Sequence, residues 1–204
     1  MRRLVWFLAG AVSLVIAAGG AALVYLKTGA NGFSARAQPS AAETLAARIA
    51  RGIALSAGAK EKPNPVADSD EVLAEGLAHW ADHCAACHAN DGSGQVTMGR
   101  NMYPPAPDMR LDPTQKLTDG ELFYIIQNGI RLTGMPAWGG TGDAAHSERD
   151  SWKLVRFIRH LPKLTFEEKK QMEKLNPKGP DDKMEEEQEE KFLKGEDTNE
   201  PHHH

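Results

Sequence analysis

The sequence predicts an all-α protein with a single apolar helix at its amino terminus, and three observations carry that expectation. Ser, Thr or Asp is followed three residues later by Glu at Ser40/Glu43, Asp68/Glu71, Thr118/Glu121 and Thr165/Glu168. That is the spacing of a capping box, in which both side chains satisfy orphan amides at a helix start. Behind each pair apolar residues recur at intervals of three and four, which stacks them on one helical face. Residues 4–26 form an uncharged run of 23 residues, long enough at about 1.5 Å per residue to cross a hydrocarbon core of about 30 Å.

Residues 1–27 therefore read as a membrane anchor. Trp6 and Tyr25 stand near the two ends of the apolar run, where aromatic side chains settle at a bilayer interface. Arg2 and Arg3 precede it, which favours an amino terminus kept in the cytoplasm and a following chain delivered to the other side. A cleaved signal peptide competes through Ala35-Arg36-Ala37. The apolar run, however, exceeds the usual hydrophobic region of a signal, and that site lies well past its end. The expectation is one retained pass through a bacterial inner membrane by residues 4–26, with the remainder in the periplasm.

Residues 28–67 form a linker. Gly29, Gly32, Ser34 and Pro39 mark a flexible connection. Leu45, Ile49 and Ile53 then give an amphipathic helix near 41–55 with Arg48 and Arg51 on its flank. Three uses compete for its apolar stripe: packing on the folded domain, lying at the membrane surface, or docking a partner subunit. Pro63-Asn64-Pro65 ends the segment.

The folded domain falls to residues 68–163, a size at which burial is modest and a bound cofactor adds useful core. Residues 164–204 continue as a capped helix from Thr165 to Asn176, then an acidic tail in which Phe192 and Leu193 offer an apolar patch. The closing His202-His203-His204 reads as a tag remnant or solvated tail before it reads as a metal site. The net charge of −4 is segregated: +6 over residues 1–67, −4 over 68–163, +1 over 164–180 and −7 over 181–204. Basic residues are not clustered with aromatics on the folded part, so the pattern excludes a nucleic-acid footprint.

Within the domain, Leu73, Leu77, Trp80 and Cys84 share one helical stripe. That helix is expected to run straight into Cys84-Ala85-Ala86-Cys87-His88, which uses both cysteines of the chain. Cys-x-x-Cys-His is the pattern of covalent attachment of one c-type haem, both sulfurs forming thioethers and the histidine reaching the iron. A zinc half-site or redox dithiol competes. His79 and His83 lie close by, but no second paired cluster completes a four-ligand zinc site. Gly76 costs its helix about 1 kcal/mol relative to alanine, which suggests close approach by another helix; a crossing between Gly76 and Phe157 is the expectation.

Asn90 to Gly94 is turn chemistry, and residues 95–116 show no clear period. Within them Tyr103-Pro104-Pro105-Ala106-Pro107 leaves proline carbonyls free. Such a carbonyl suits the second ring nitrogen of His88, although a rigid surface loop explains the prolines equally well. Leu122, Phe123, Ile125 and Ile126 build a helix that Asn128-Gly129 closes. Thr133-Gly134-Met135-Pro136-Ala137-Trp138 comes next. Met135, in a restricted loop instead of a helix face, is the candidate second axial ligand. Met98, Met102, Met109, His79 and His83 compete, and simple packing remains open. Residues 141–149 read as a polar loop, and Ser147 or Asp150 as the cap of a last domain helix carrying Trp152, Val155, Ile158 and Leu161, stopped by Pro162.

Taken together, Gly76, Trp80, Cys84-x-x-Cys87-His88, the 103–107 proline run, Gly134-Met135-Pro136-Ala137-Trp138 and residues 152–161 resemble a monohaem class I cytochrome c. The likeness is close to the bacterial group related to the haem subunit of cbb3-type oxidases. The resemblance covers residues 68–163 and implies three to five helices wrapped around one covalent haem c. It also implies His88 and Met135 as axial iron ligands, a carbonyl near Pro104 or Pro105 orienting His88, and Trp138 or Arg100 near the propionates. The function expected is one-electron transfer, Fe(III) to Fe(II) and back, by a membrane-tethered carrier that is itself no enzyme. Its partners would be a redox protein donor and acceptor, among them a membrane dehydrogenase or oxidase. A fixed haem subunit of a larger membrane oxidoreductase is the alternative.

Overall fold

Helices start at three of the four capping pairs as predicted. The computed structural model describes residues 2–28, 34–55, 57–140, 148–178, 187–188, 190–191 and 193–194, and among these there is no strand. Helix α1, Arg2–Thr28, buries none of its residues and is long and apolar enough to cross a membrane. Helix α2, Ala41–Ala54, starts on a complete Ser40/Glu43 capping box. The single turn α3, Ala57–Lys60, leads into the domain.

Helix α4, Asp70–His79, begins one residue later than the Asp68/Glu71 pair suggests: Ser69 is the cap, its hydroxyl accepting from the Val72 amide. The chain does not continue straight into the attachment pentapeptide. It widens into a π-helical turn over Trp80–Cys84 before α5, Ala85–His88. Such a bulge carries an extra residue per turn and re-aims the side chains beyond it. Here Trp80 and Ala81 stay in the core while Cys84, Cys87 and His88 face a cleft.

Two single turns, α6 at Thr97–Arg100 and α7 at Asp112–Gln115, lie in the stretch without a sequence period; four residues are too few to display one. Helix α8, Asp119–Asn128, has the expected Thr118/Glu121 box and ends at Gly129. Helix α9, Glu148–His160, passes through a 3-10 turn, Leu161–Lys163, to α10, Phe166–Leu175, capped by Thr165 and Glu168. Asp150 lies inside the first turn of α9, and the other candidate cap, Ser147, lies outside the described residues. So do Phe192 and the three terminal histidines.

The core sits where α4 and α9 cross, with α8 against the far side of α9. A β-carbon on Gly76 would stand 2.7 Å from the Lys153 carbonyl oxygen and 3.0 Å from Phe157 Cβ, which is the close crossing the glycine suggests. Trp80 packs on Phe157 with ring centroids 5.6 Å apart, and Phe123 stacks on Trp152 at 4.0 Å and 7°. Val155, Phe157 and Met172 are fully buried, each worth roughly 1.5–3 kcal/mol of apolar transfer.

Packing runs past residues 68–163 at both ends, since Val66 and Met172 belong to the same core. At the entry, Asn64 Nδ2 donates to the Trp152 carbonyl at 3.0 Å, and the Arg156 guanidinium donates to the Val66 carbonyl at 2.8 and 3.2 Å. These bonds satisfy backbone acceptors that sequence periodicity does not register.

Gly76→Val is expected to lower the unfolding free energy by about 1–3 kcal/mol, the cost of overpacking a filled interface. Gly52→Ala, in a helix with nothing within 4 Å of the new methyl, is expected to leave stability unchanged or raise it by up to about 1 kcal/mol. Urea midpoints check the contrast, and equal midpoints count against the close crossing.

Candidate functional site

The π turn and α5 set one wall of the site, and a tight turn behind α5 holds it there. Ala89 adopts φ 62° at the end of α5. Its carbonyl accepts from the Trp80 indole at 3.0 Å, and the His88 carbonyl accepts from the Gly94 amide at 2.8 Å. Gly99 lies so close to the Cys87 carbonyl that no side chain fits between them. The backbone of the pentapeptide is thus fixed from both sides, and its side chains are left to the cleft.

The opposite wall is the segment after α8. Gly129, at φ 64°, turns the chain so that the Ile130 amide donates to the Met135 carbonyl at 3.1 Å. Thr133 Oγ1 accepts from the Met135 amide at 3.1 Å, and the Trp138 amide donates to the Ile126 carbonyl at 3.0 Å. Met135 is therefore held in a closed loop whose ends are both tied to α8.

Between the walls lies an open, largely apolar cleft, the kind of concave site in which cofactors bind. Cys84, Cys87, His88, Pro104, Pro105, Met135 and Trp138 all line it. A smaller recess behind it is shared by Cys84, His88, Met135 and Trp138 with Trp80 and Met109. Arg100 does not line the cleft; it is exposed at the end of α6.

Among the competing sulfurs, Met98 is mostly exposed, with Sδ 3.4 Å from Cys87 Sγ. Met102 packs on Gly134, and Met109 reaches both compartments. Of the two competing histidines, His83 sits at the rim, 3.1 Å from Asp82 and edge-on to Trp138, and His79 packs on His83.

Electrostatics follow burial. Burial pushes the Cys84 thiol up to about 12 and raises Cys87 as well, so neither is an activated thiolate, as a redox dithiol would require. Burial pushes the His88 imidazole down to about 4, which keeps the ring neutral at neutral pH, the form that ligates metals. His88 Nδ1 is buried and makes no hydrogen bond, so no proline carbonyl engages it. Among the described residues no group of three or more His, Cys, Asp or Glu side chains is arranged to hold a bare metal ion. The donor set is instead two thiols, one imidazole and thioethers around an apolar void, with a buried ring nitrogen in need of a partner. That combination fits a planar metallo-macrocycle bonded through the thiols.

Arg51, contributed by α2 from outside the domain bounds, also lines the cleft. Sequence reading places it on the flank of an amphipathic helix and gives no cue to what it faces, because the relation of α2 to the cleft is set by tertiary contacts. Leu45, Ile49 and Ile53 point away, each more than half exposed, so the stripe does not pack on the domain.

Residues 71–158 match the family model described as cytochrome C oxidase, cbb3-type, subunit III. No curated protein matches the chain.

One ion cluster joins the turn behind His88 to the proline segment. Arg110 bonds Asp108 at 2.7 and 2.9 Å and Asp91 at 2.8 Å. The hydrogen bond from Arg110 holds the Asp108 carboxyl below its ordinary range. For Asp91, burial pushes upward, but hydrogen bonds from Ser93 and the Arg110 charge outweigh it. Carboxyls depressed on folding contribute stability that is complete above the unfolded aspartate value of about 3.9 and is lost as pH falls through the folded values. Urea unfolding between about pH 5 and pH 3 is expected to show that loss. Arg110→Met is expected to be less stable at the higher pH and flatter across the window, and an unchanged slope would remove the cluster from the account.

Proposed function

Because residues 71–158 are a class I cytochrome c domain of the cbb3-type subunit III family, which binds covalent haem c, we propose that this chain is a membrane-tethered one-electron carrier in the periplasm. When bound, haem c supplies an Fe(III)/Fe(II) couple and with it all of the redox chemistry. The observation that carries the reading is the convergence of Cys84, Cys87, His88 and Met135 on one apolar cleft.

Each residue then has a defined task. Cys84 and Cys87 would bond the macrocycle and fix it to the π turn and α5. His88 offers a neutral ring nitrogen to the metal from one wall. Met135 would offer its thioether from the other, and a His/Met pair would raise the potential and disfavour outside ligands. The apolar lining excludes water and lowers the local dielectric, which favours the couple's less charged state. Pro104, Pro105 and Trp138 shape the pocket. No general acid, base or nucleophile is required, so the chain itself is proposed as a carrier and not an enzyme.

Helix α1 supports tethering, and Arg2 and Arg3 before it support delivery of the domain to the periplasmic side. A redox donor and acceptor in a respiratory chain are the implied partners. One observation favours a second reading, a fixed haem subunit of a larger membrane oxidoreductase: the outward stripe of Leu45, Ile49 and Ile53 on α2. Purification in mild detergent separates the two. A chain isolated alone favours the carrier, and stable co-purification with a dehydrogenase or oxidase favours the subunit.

For the site itself, Met135→Ala in the full-length protein is expected to change the visible spectrum. It should lower the midpoint potential by on the order of 100 mV, a fraction of the ~0.8 V over which axial ligands set haem potentials. An unchanged spectrum and potential would remove Met135 from the ligand set.

A further inference from the structure

We propose that α2 is a strap over the cleft and that Arg51 is an electrostatic partner of a haem propionate, so that the segment outside the cytochrome domain sets part of its potential. The inference rests on the haem reading above and adds to it a residue that the family match, confined to residues 71–158, does not include.

Three observations on α2 carry it. The helix is turned so that its apolar stripe faces outward, while half-buried Arg51 lies on the inner face with Thr44 seven residues before it and buried Leu55 four after. Those spacings put the three on one side of a helix. Tyr103 Oη donates to Glu43 Oε1 at 2.9 Å, tying the start of α2 to the proline segment of the cleft wall, and Lys60 Nζ donates to the Gly52 carbonyl at 3.0 Å near its end. The start of α2 is thereby held against the cleft wall, and its end against α3, which packs on α8.

Arg51 itself lines the cleft, yet no hydrogen bond or ion pair engages its guanidinium among the described residues. A cation at an otherwise apolar cavity, without an anion, is an incomplete arrangement. Burying charge is costly unless it is paired, and a guanidinium is shaped to take a carboxylate on two donors. The carboxylates that a haem brings are its two propionates. Arg110 and Arg159, by contrast, have their carboxylates already.

The consequence is directional. Reduction adds one negative charge to the haem group, so a nearby cation favours the reduced form. At a separation of several ångströms and an intermediate dielectric, one charge changes the Fe(III)/Fe(II) equilibrium by roughly threefold to tenfold, which is ~30–60 mV for a one-electron couple.

Potentiometric titration of the full-length, detergent-solubilised protein tests this. Arg51→Gln is expected to lower the midpoint by that threefold to tenfold, Arg51→Lys to recover most of it, and Arg48→Gln, on the exposed side of the same helix, to change it little. A potential unmoved in Arg51→Gln overturns the proposal, as does an equal shift in Arg48→Gln. If Arg51→Gln fails to load haem, Arg51→Lys decides: loading with a near-native potential supports the pairing, and failure to load overturns it. A wild-type chain that carries no haem at all would instead sink the functional reading itself.

Discussion

Where α4 meets α9 at Gly76, the backbone of one helix lies almost on the backbone and the Phe157 stem of the other. The wall that carries Cys84, Cys87 and His88 inherits its position from that contact. Four residues on, Trp80 rests against Phe157 and spends its indole N–H on the Ala89 carbonyl. At that same residue the helix widens into a π turn. The attachment pentapeptide comes within one turn of it, so its two thiols and imidazole enter the cleft from a platform anchored in the driest part of the core. A side chain at position 76 would move Trp80, and with it the wall from which His88 reaches out.

The second wall is built differently. It is a loop, and loops owe their position to hydrogen bonds more than to burial. Met135 is framed by Gly129, Ile130 and Thr133 on one side and by the Trp138 and Gly139 amides on α8 carbonyls on the other. Further polar clasps hold the remaining irregular segments: Arg159 bridges Asp119 to the Gln115 and Leu117 carbonyls, and Gln115 Nε2 reaches the Met109 and Ile158 carbonyls. Each clasp satisfies carbonyls that α7 and the turns around it leave open, which is why so little regular structure suffices between α5 and α8.

Much of this was legible in the sequence because it is written in local chemistry. Capping pairs located α2, α8 and α10 to the residue, and the Cys-x-x-Cys-His spacing concentrated the chemistry at one place. Gly76 announced the helix crossing because a lone glycine inside an apolar stripe needs a reason. What stayed hidden was non-local or too short. The π turn left no mark, since a one-residue phase shift is invisible where the next residues are alanines. Single turns α6 and α7 have no period to detect. Arg51 reads only as a helix flank and Arg100 as a pocket candidate, and it is the fold that puts the first at the cleft and the second in solvent. The outward stripe of α2 was equally unreadable, since amphipathicity says that a helix has two faces and not which one meets the domain.

On the proposed reading, His88 from one wall and Met135 from the other would both hold the haem iron, which would make the site a relay for electrons and not a place where ligands bind. The most direct measurement is the visible spectrum of the reduced, full-length protein before and after saturation with carbon monoxide. An iron closed by imidazole and thioether is expected to leave the spectrum unchanged at neutral pH. Rapid and complete formation of a carbon monoxide adduct would mean an open or weakly held position, and would contradict the account.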